Sequence, residues 1–246
     1  MTLTPWPYPR WIAHRGAGLI APENTLAAFR RGFTAGYRMF ECDAKLTSDG
    51  AVILLHDATL DRTTSGQGLA NQIDWADVQR LDAGSWHSAL HAGEPVATLE
   101  RLSAFCQAND CLLNIELKPV PGFEEMTGER VAQLAAELWR NAPIKPLLSS
   151  FSPLALQAAR SAAPSLYRGL LMHKLSPAWQ HEVQRLDCQA LICNYRILRA
   201  DMIRQIHALG LRSLSYTVND HTVAHALIEA GIDGIITDEI DVFPPV

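Results

Sequence analysis

The strongest constraint on this chain is a rhythm. Short apolar runs recur along it, each followed by a longer stretch with helical spacing. Runs at residues 11–13, 38–46, 111–117, 146–151, 168–172, 190–193, 211–218 and 234–237 read as strands. The first helical stretch carries Leu26, Phe29, Arg30 and Phe33 at spacings of three and four. Similar stretches cover 99–108, 131–140, 153–162, 179–186, 200–209 and 222–230. Gly36, Gly210 and Gly231 stand where helices should stop. Strands alternating with helices mean βαβ units and a parallel sheet. About eight such strands fit a closed (β/α)8 TIM barrel better than an open sheet, and 246 residues is an ordinary length for one such domain spanning 1–246. An extra apolar run at 52–55 stands outside the count. Residues 57–97 break the rhythm with Gly66, Gly68, Gly84, Gly93 and Pro95 among polar residues. This segment is expected to be an insertion on the C-terminal rim of the barrel. The first turn, His14-Arg15-Gly16-Ala17-Gly18, lacks the glycine spacing of a dinucleotide loop.

Charge narrows the partners. The chain carries 26 acids against 21 bases, a net charge of −5, and no basic run. Nucleic acid demands a basic footprint, so no nucleic-acid partner is expected. An anionic substrate would need local positive charge from a metal or a few placed bases. The five cysteines are an odd number without a C-x-x-C pair. Reduced thiols in a cytoplasmic protein explain them best. No apolar stretch reaches the roughly 18 residues of a transmembrane helix, so no membrane anchor is expected. The opening MTLTPWPYPRWIAHRG does not resemble a secretory signal.

Polar residues at the ends of apolar strands carry the functional information, because a barrel of this kind builds its site there. Strand one ends in His14-Arg15-Gly16. Strand two carries Glu41 and Asp43, which lie two apart and so share a face. The 52–55 run ends in His56-Asp57. Glu116 and Lys118 are again two apart. Tyr216, Asn219 and Asp238 end the last two strands. Glu41, Asp43 and Glu116 give three carboxylates that could converge, and buried like charges need a counter-charge. One hard divalent cation, Mg²⁺ or Ca²⁺, satisfies an all-oxygen donor set. His14 and His56 suit proton transfer near neutral pH. Arg15 and Lys118 can hold phosphate oxygens. Together these groups equip a site for phosphodiester cleavage.

Each group alone has a plainer explanation. A lone histidine after a strand is usually structural. Glu41 and Asp43 could be solvated on an edge strand. Glu116 and Lys118 could be an ion pair of small worth. Asn24 reads as a helix N-cap with Thr25 as its competitor, and Glu23 as a brace for the first loop. His87, His91, His173, His181, His207, His221 and His225 read as surface or structural residues. What favours a site is charge at four separate strand ends at once.

In order along the chain stand His14-Arg15-Gly16, Pro22-Glu23-Asn24-Thr25, Glu41-x-Asp43, His56-Asp57, Leu60-Asp61-Arg62-Thr63-Thr64 and Glu116-x-Lys118. This series resembles the glycerophosphodiester phosphodiesterase family, closest to its small cytoplasmic bacterial members. The resemblance implies a TIM barrel with the 57–97 insertion. It implies His14 and His56 as catalytic residues, Glu41, Asp43 and Glu116 as ligands of one cation, and Arg15 and Lys118 as phosphate contacts. It further implies hydrolysis of small glycerophosphodiesters to an alcohol and sn-glycerol 3-phosphate, through a cyclic phosphate, within glycerophospholipid and glycerol metabolism. Two departures stand out. The family's W-T-V-N is Tyr216-Thr217-Val218-Asn219 here, with Tyr216 still able to wall the glycerol side. The proline that often follows Asp238 closely arrives only at 244 and 245. Two alternatives stay open. A phospholipase D-like enzyme acting on lipids would need an apolar rim, for which only Trp75 and Trp86 offer a hint. A non-catalytic phosphate-metabolite binding protein would not need both histidines.

Overall fold

Parallel strands need long crossovers, and helices supply them here. The computed structural model describes residues 3–243 and 245. Pro244, one of the two late prolines, lies outside the described residues, as do Met1 and Thr2 of the opening segment. The strands are β1 (Trp11–Ala13), β2 (Met39–Leu46), β3 (Val52–Leu54), β4 (Leu112–Leu117), β5 (Leu147–Ser150), β6 (Tyr167–Met172), β7 (Ala190–Asn194), β8 (Arg212–Tyr216) and β9 (Gly234–Thr237). The α-helices are α1 (Leu26–Thr34), α2 (Trp75–Val78), α3 (Leu99–Ala108), α4 (Glu124–Leu138), α5 (Pro153–Ala162), α6 (Trp179–Arg185), α7 (Ala200–Ala208) and α8 (His221–Glu229). All strands but β3 pair in parallel in the order β1-β9-β8-β7-β6-β5-β4-β2, and a β1–β2 pairing closes the ring. This is the expected (β/α)8 barrel of eight strands. The extra run, β3, folds back antiparallel on the upper end of β2, with Leu46 opposite Val52. That hairpin delivers His56 to the C-terminal mouth.

Sequence and helix ends agree in most places. Thr98, Ser152 and Asp220 cap α3, α5 and α8 with side-chain oxygens, each cap worth about 1 kcal/mol. The α4 helix begins at Glu124, a full turn and more before the expected 131. Its first turn is acidic, which suits the positive end of a helix dipole but carries no apolar periodicity to read.

Strand periodicity sorts the core into two layers. On β2, Phe40, Cys42, Ala44 and Leu46 face out toward the helices and join the main core. Met39 faces in and packs with Ile12, Leu147, Leu171, Ile192, Leu214 and Ile236, with Tyr8 among them. This apolar plug fills the bottom of the barrel. Above it the inward positions turn polar: Glu41, Asp43, Asn114 and Ser149 are buried yet hydrophilic. The insertion packs its own small core of Leu60, Ala70, Val78, Ala83 and Val96 against Ile53 and Leu55 of the β3 run, with Trp75 against it. Trp86 is 40% exposed and donates its indole N–H to the Ala83 carbonyl. Among the described residues no helix is long and apolar enough to cross a membrane.

Candidate active site

The three acids do converge. Glu41 and Asp43 project into the barrel from β2, and the β2–β4 register sets Glu116 beside Asp43. One oxygen from each lies within 4.8 Å of the others. Burial pushes the Glu41 and Glu116 carboxyls up, and the charge of Asp43 pushes them further. Burial acts on Asp43 in the same direction, but Arg15, Lys118 and His56 outweigh it and hold that carboxyl down. Glu41 Oε1 accepts no hydrogen bond from the described residues although it is buried. A buried, unpartnered carboxylate oxygen is costly, and a cation would relieve it. Three carboxylate groups with no nitrogen or sulfur donor fit a hard divalent ion.

The first loop wraps this cluster. Arg15 takes a left-handed φ of 50°, rare without glycine. The turn aims its backbone N–H at Glu41 Oε2, 3.0 Å away. Its guanidinium meets Glu23 Oε1 at 2.8 Å and lies 3.2 Å from Asp43 Oδ2. Gly18 must be glycine: a Cβ there would fall 2.2 Å from the Asp238 carbonyl oxygen. That close approach seats the loop on the end of β9, where Asp238 reaches His14. The His14 Nδ1–Asp238 Oδ1 distance is 2.6 Å, and Nε2 lies 3.8 Å from Glu41 Oε2. Burial alone would lower the His14 pKa, but the bond to Asp238 and the Glu41 charge raise it overall. Asn219 holds Asp238 in turn, donating from Nδ2 to Oδ2 at 2.8 Å and accepting the Asp238 N–H at 3.0 Å.

The second imidazole is built the same way. His56 Nδ1 lies 2.7 Å from Asp57 Oδ1. Burial lowers its pKa, and the charges of Arg15 and Lys118 add to the effect against Asp43. Each ring therefore has Nδ1 engaged by a carboxylate, which leaves Nε2 to exchange a proton. Lys118 sits 3.0 Å from Glu116 Oε1 and 3.8 Å from Asp43 Oδ1. Burial would lower the Lys118 pKa, but Glu116 and Asp43 raise it, so it stays charged. Tyr216 packs edge-on against Phe151 with ring centres 5.7 Å apart, and its buried hydroxyl has no partner among the described residues.

One expectation is overturned and several contacts are new. Asn24 does not cap α1; Thr25 does, accepting the Ala28 N–H. Asn24 instead adopts φ of 60° and turns into the site. Its Nδ2 donates to Asp43 Oδ2 at 2.8 Å and its Oδ1 accepts the Asp43 N–H at 3.1 Å. Left-handed backbone is most tolerable for asparagine after glycine, so Pro22-Glu23-Asn24 carried a faint signal. Lys45 continues the inward series of β2 and donates to the Lys118 carbonyl at 2.9 Å. The spacing that flags Glu41 and Asp43 flags it equally. Glu23 does brace the loop, but through arginines: Arg15 and Arg62 both bind it.

With this geometry in view, the relatives are informative. The sequence model of the glycerophosphoryl diester phosphodiesterase family matches residues 14–242. A glycerophosphodiester phosphodiesterase of Caldanaerobacter subterraneus is 33% identical over 93% of this chain and 93% of its own length. A phosphodiesterase of Oleispira antarctica, solved with its product sn-glycerol 3-phosphate, superposes with a TM-score of 0.88 at 33% identity, covering 95% of this chain and 94% of that one. The glycerophosphodiester phosphodiesterase of Agrobacterium tumefaciens gives 0.82 at 26% identity, covering 97% and 100%. A barrel whose mouth gathers three acids, two carboxylate-braced imidazoles and two bases, matched over nearly its whole length by these enzymes, places the chain in the glycerophosphoryl diester phosphodiesterase family, a family of phosphoric diester hydrolases.

Proposed function

We propose that this enzyme hydrolyses small glycerophosphodiesters to an alcohol and sn-glycerol 3-phosphate with the help of one divalent cation, Mg²⁺ or Ca²⁺, held by Glu41, Asp43 and Glu116. The observation that carries the reading is the overcharged cluster itself. Three carboxyl groups lie together, Glu41 and Asp43 buried and Glu116 nearly so, and two of them have raised pKa values. The Oleispira relative's bound product supports the choice of substrate. When bound, the cation would neutralise a phosphate oxygen and ease ionisation of a nearby hydroxyl.

The chain's own residues do the rest. Arg15 and Lys118 bind the phosphate oxygens. Tyr216 walls the glycerol moiety. In the first half of the reaction the glycerol 2-hydroxyl oxygen bonds to phosphorus while Nε2 of one histidine takes its proton. The bond from phosphorus to the leaving alcohol breaks, and the other histidine protonates that oxygen. A cyclic phosphate remains. Water then adds to phosphorus, the ring P–O bond to the 2-oxygen breaks, and the two imidazoles reverse roles, each ending as it began. Asp238 and Asp57 keep both rings in the tautomer that leaves Nε2 free. Five buried free cysteines support a reducing, cytoplasmic setting. The alcohol and the glycerol phosphate then feed glycerophospholipid turnover and glycerol metabolism.

The test is to follow glycerophosphocholine and glycerophosphoethanolamine by ³¹P NMR with Mg²⁺ or Ca²⁺ present. The expected products are glycerol 3-phosphate and free alcohol, with a transient five-membered cyclic phosphate as a separate resonance well downfield of both diester and monoester. Release of phosphocholine and glycerol would refute the assignment.

A further inference from the structure

The Leu60-Asp61-Arg62-Thr63-Thr64 stretch has no part in the chemistry above, yet one of its side chains returns to the site. We propose that Arg62 is a positioning residue: its guanidinium, supplied by the insertion, sets both the His56 ring and the Arg15 side chain. The inference rests on the catalytic reading of His56 and extends it.

The argument starts at the turn. Leu60 is fully buried in the insertion's core. Thr64 closes the turn on it twice, through its N–H at 3.1 Å and its hydroxyl at 2.7 Å to the Leu60 carbonyl. Asp61 secures the other side by accepting the Gly68 N–H at 2.9 Å. Arg62 projects from this anchored turn. One edge of its fork grips Asp57, Nε to Oδ2 at 2.6 Å and Nη2 to Oδ1 at 3.1 Å. The other edge grips Glu23, Nη1 to Oε2 at 2.8 Å and Nη2 to Oε1 at 2.9 Å. Asp57 Oδ1 is the oxygen that engages His56 Nδ1, and Glu23 Oε1 is the oxygen that engages Arg15 Nη1. One planar cation thus closes a chain from imidazole to guanidinium.

The plain alternative is a surface ion pair. The Arg62 side chain is 43% exposed, and pairs so placed contribute little to stability. Its geometry argues for more. Asp57 follows His56 directly in the chain and is itself a third exposed, so without a second partner its carboxylate is free to leave the ring. Only a fork with donors on two edges can hold two carboxylates in one plane; a lysine ammonium cannot. Misplacing a reacting group by about 1 Å costs on the order of 10²-fold in rate.

The test compares Arg62→Ala and Arg62→Lys with the parent enzyme, reading kcat, KM and the ¹⁵N resonances of His56. Both variants should lose about 10²-fold in kcat. Both should also shift His56 away from the tautomer protonated at Nδ1, and added guanidinium ion should restore part of the kcat of Arg62→Ala. Glu23→Gln should raise KM through Arg15 and leave the His56 resonances in place, while Asp57→Asn should move them. These two also serve if Arg62→Ala does not fold. Parent-like kcat together with unmoved His56 resonances in Arg62→Lys would overturn the proposal. The catalytic reading has its own check: turnover by His56→Ala would remove that reading and leave the resonance data to judge Arg62 alone.

Discussion

The two ends of the barrel both bury charge, and they do so in opposite ways. At the bottom, Asp233 precedes β9. Its carboxylate accepts from His207 Nε2 at 2.7 Å, Arg212 Nη1 at 2.8 Å and the Ser213 N–H at 2.8 Å. Nearby Arg168, 1% exposed, donates to the carbonyls of Leu166, Leu186 and Asp187 and to the Asp187 carboxylate. The Asp233 carboxylate and the Arg168 guanidinium are both fully partnered. At the mouth, three carboxylates face one another, Glu41 Oε1 has no partner among the described residues, and two carboxyls are pushed up. A satisfied cluster rigidifies a fold. A frustrated one is what a bound cation would complete, and real proteins break local rules of this kind at functional sites.

The contrast can be broken most forcefully at the histidines. His14→Ala and His56→Ala should each lose about 10² to 10⁴-fold in kcat, while thermal melting stays close to the parent. Near-parent turnover in either would remove that ring from the mechanism. The bottom cluster should behave in reverse. Asp233→Asn leaves buried donors underpaired and should cost about 1–3 kcal/mol by denaturant titration, with kcat unchanged. A fall in kcat without loss of stability would erase the distinction between the two ends.

Protons sharpen it further. Burial and then Asp43 raise the Glu41 carboxyl to about 8, so near neutrality it tends to hold a proton. A cation must displace that proton, since ligands bind metals in their ionised form. Affinity should therefore rise with pH from 6 to 8, by up to about tenfold per unit for one displaced proton, as calorimetry can measure. A flat or falling profile would contradict the raised carboxyl. The smallest effect concerns stability. In chelator-treated protein Glu41→Gln removes the cost of keeping a raised carboxyl in the fold, a cost that grows with pH, and should stabilise by about 1 kcal/mol at neutral pH. Destabilisation would mean that the cluster is already balanced without a cation.

What the sequence reveals of the fold and the site follows from the physics of each element. Period-two facing is enforced by the strand backbone, so Glu41 with Asp43, and Glu116 with Lys118, could be placed together from spacing alone. The barrel and the helix boundaries at Leu99 and Pro153 were legible for the same reason, because caps and apolar stripes are local signals. Contacts made by closing the barrel were not. Asp238 meets His14 across 224 positions of chain, and Arg62 meets Glu23 across 39. No periodicity relates such pairs. Asn24 is ambiguous in sequence because its type suits both a cap and a left-handed turn, and only the path of the first loop decides between them.

The central claim is that the mouth needs a cation to work. The direct measurement is sn-glycerol 3-phosphate release from glycerophosphoethanolamine by chelator-treated enzyme, before and after Mg²⁺ or Ca²⁺ is restored. Essentially no release is expected until the cation returns, and no recovery in a Glu41→Gln, Glu116→Gln double variant. Undiminished release in the presence of chelator would contradict it.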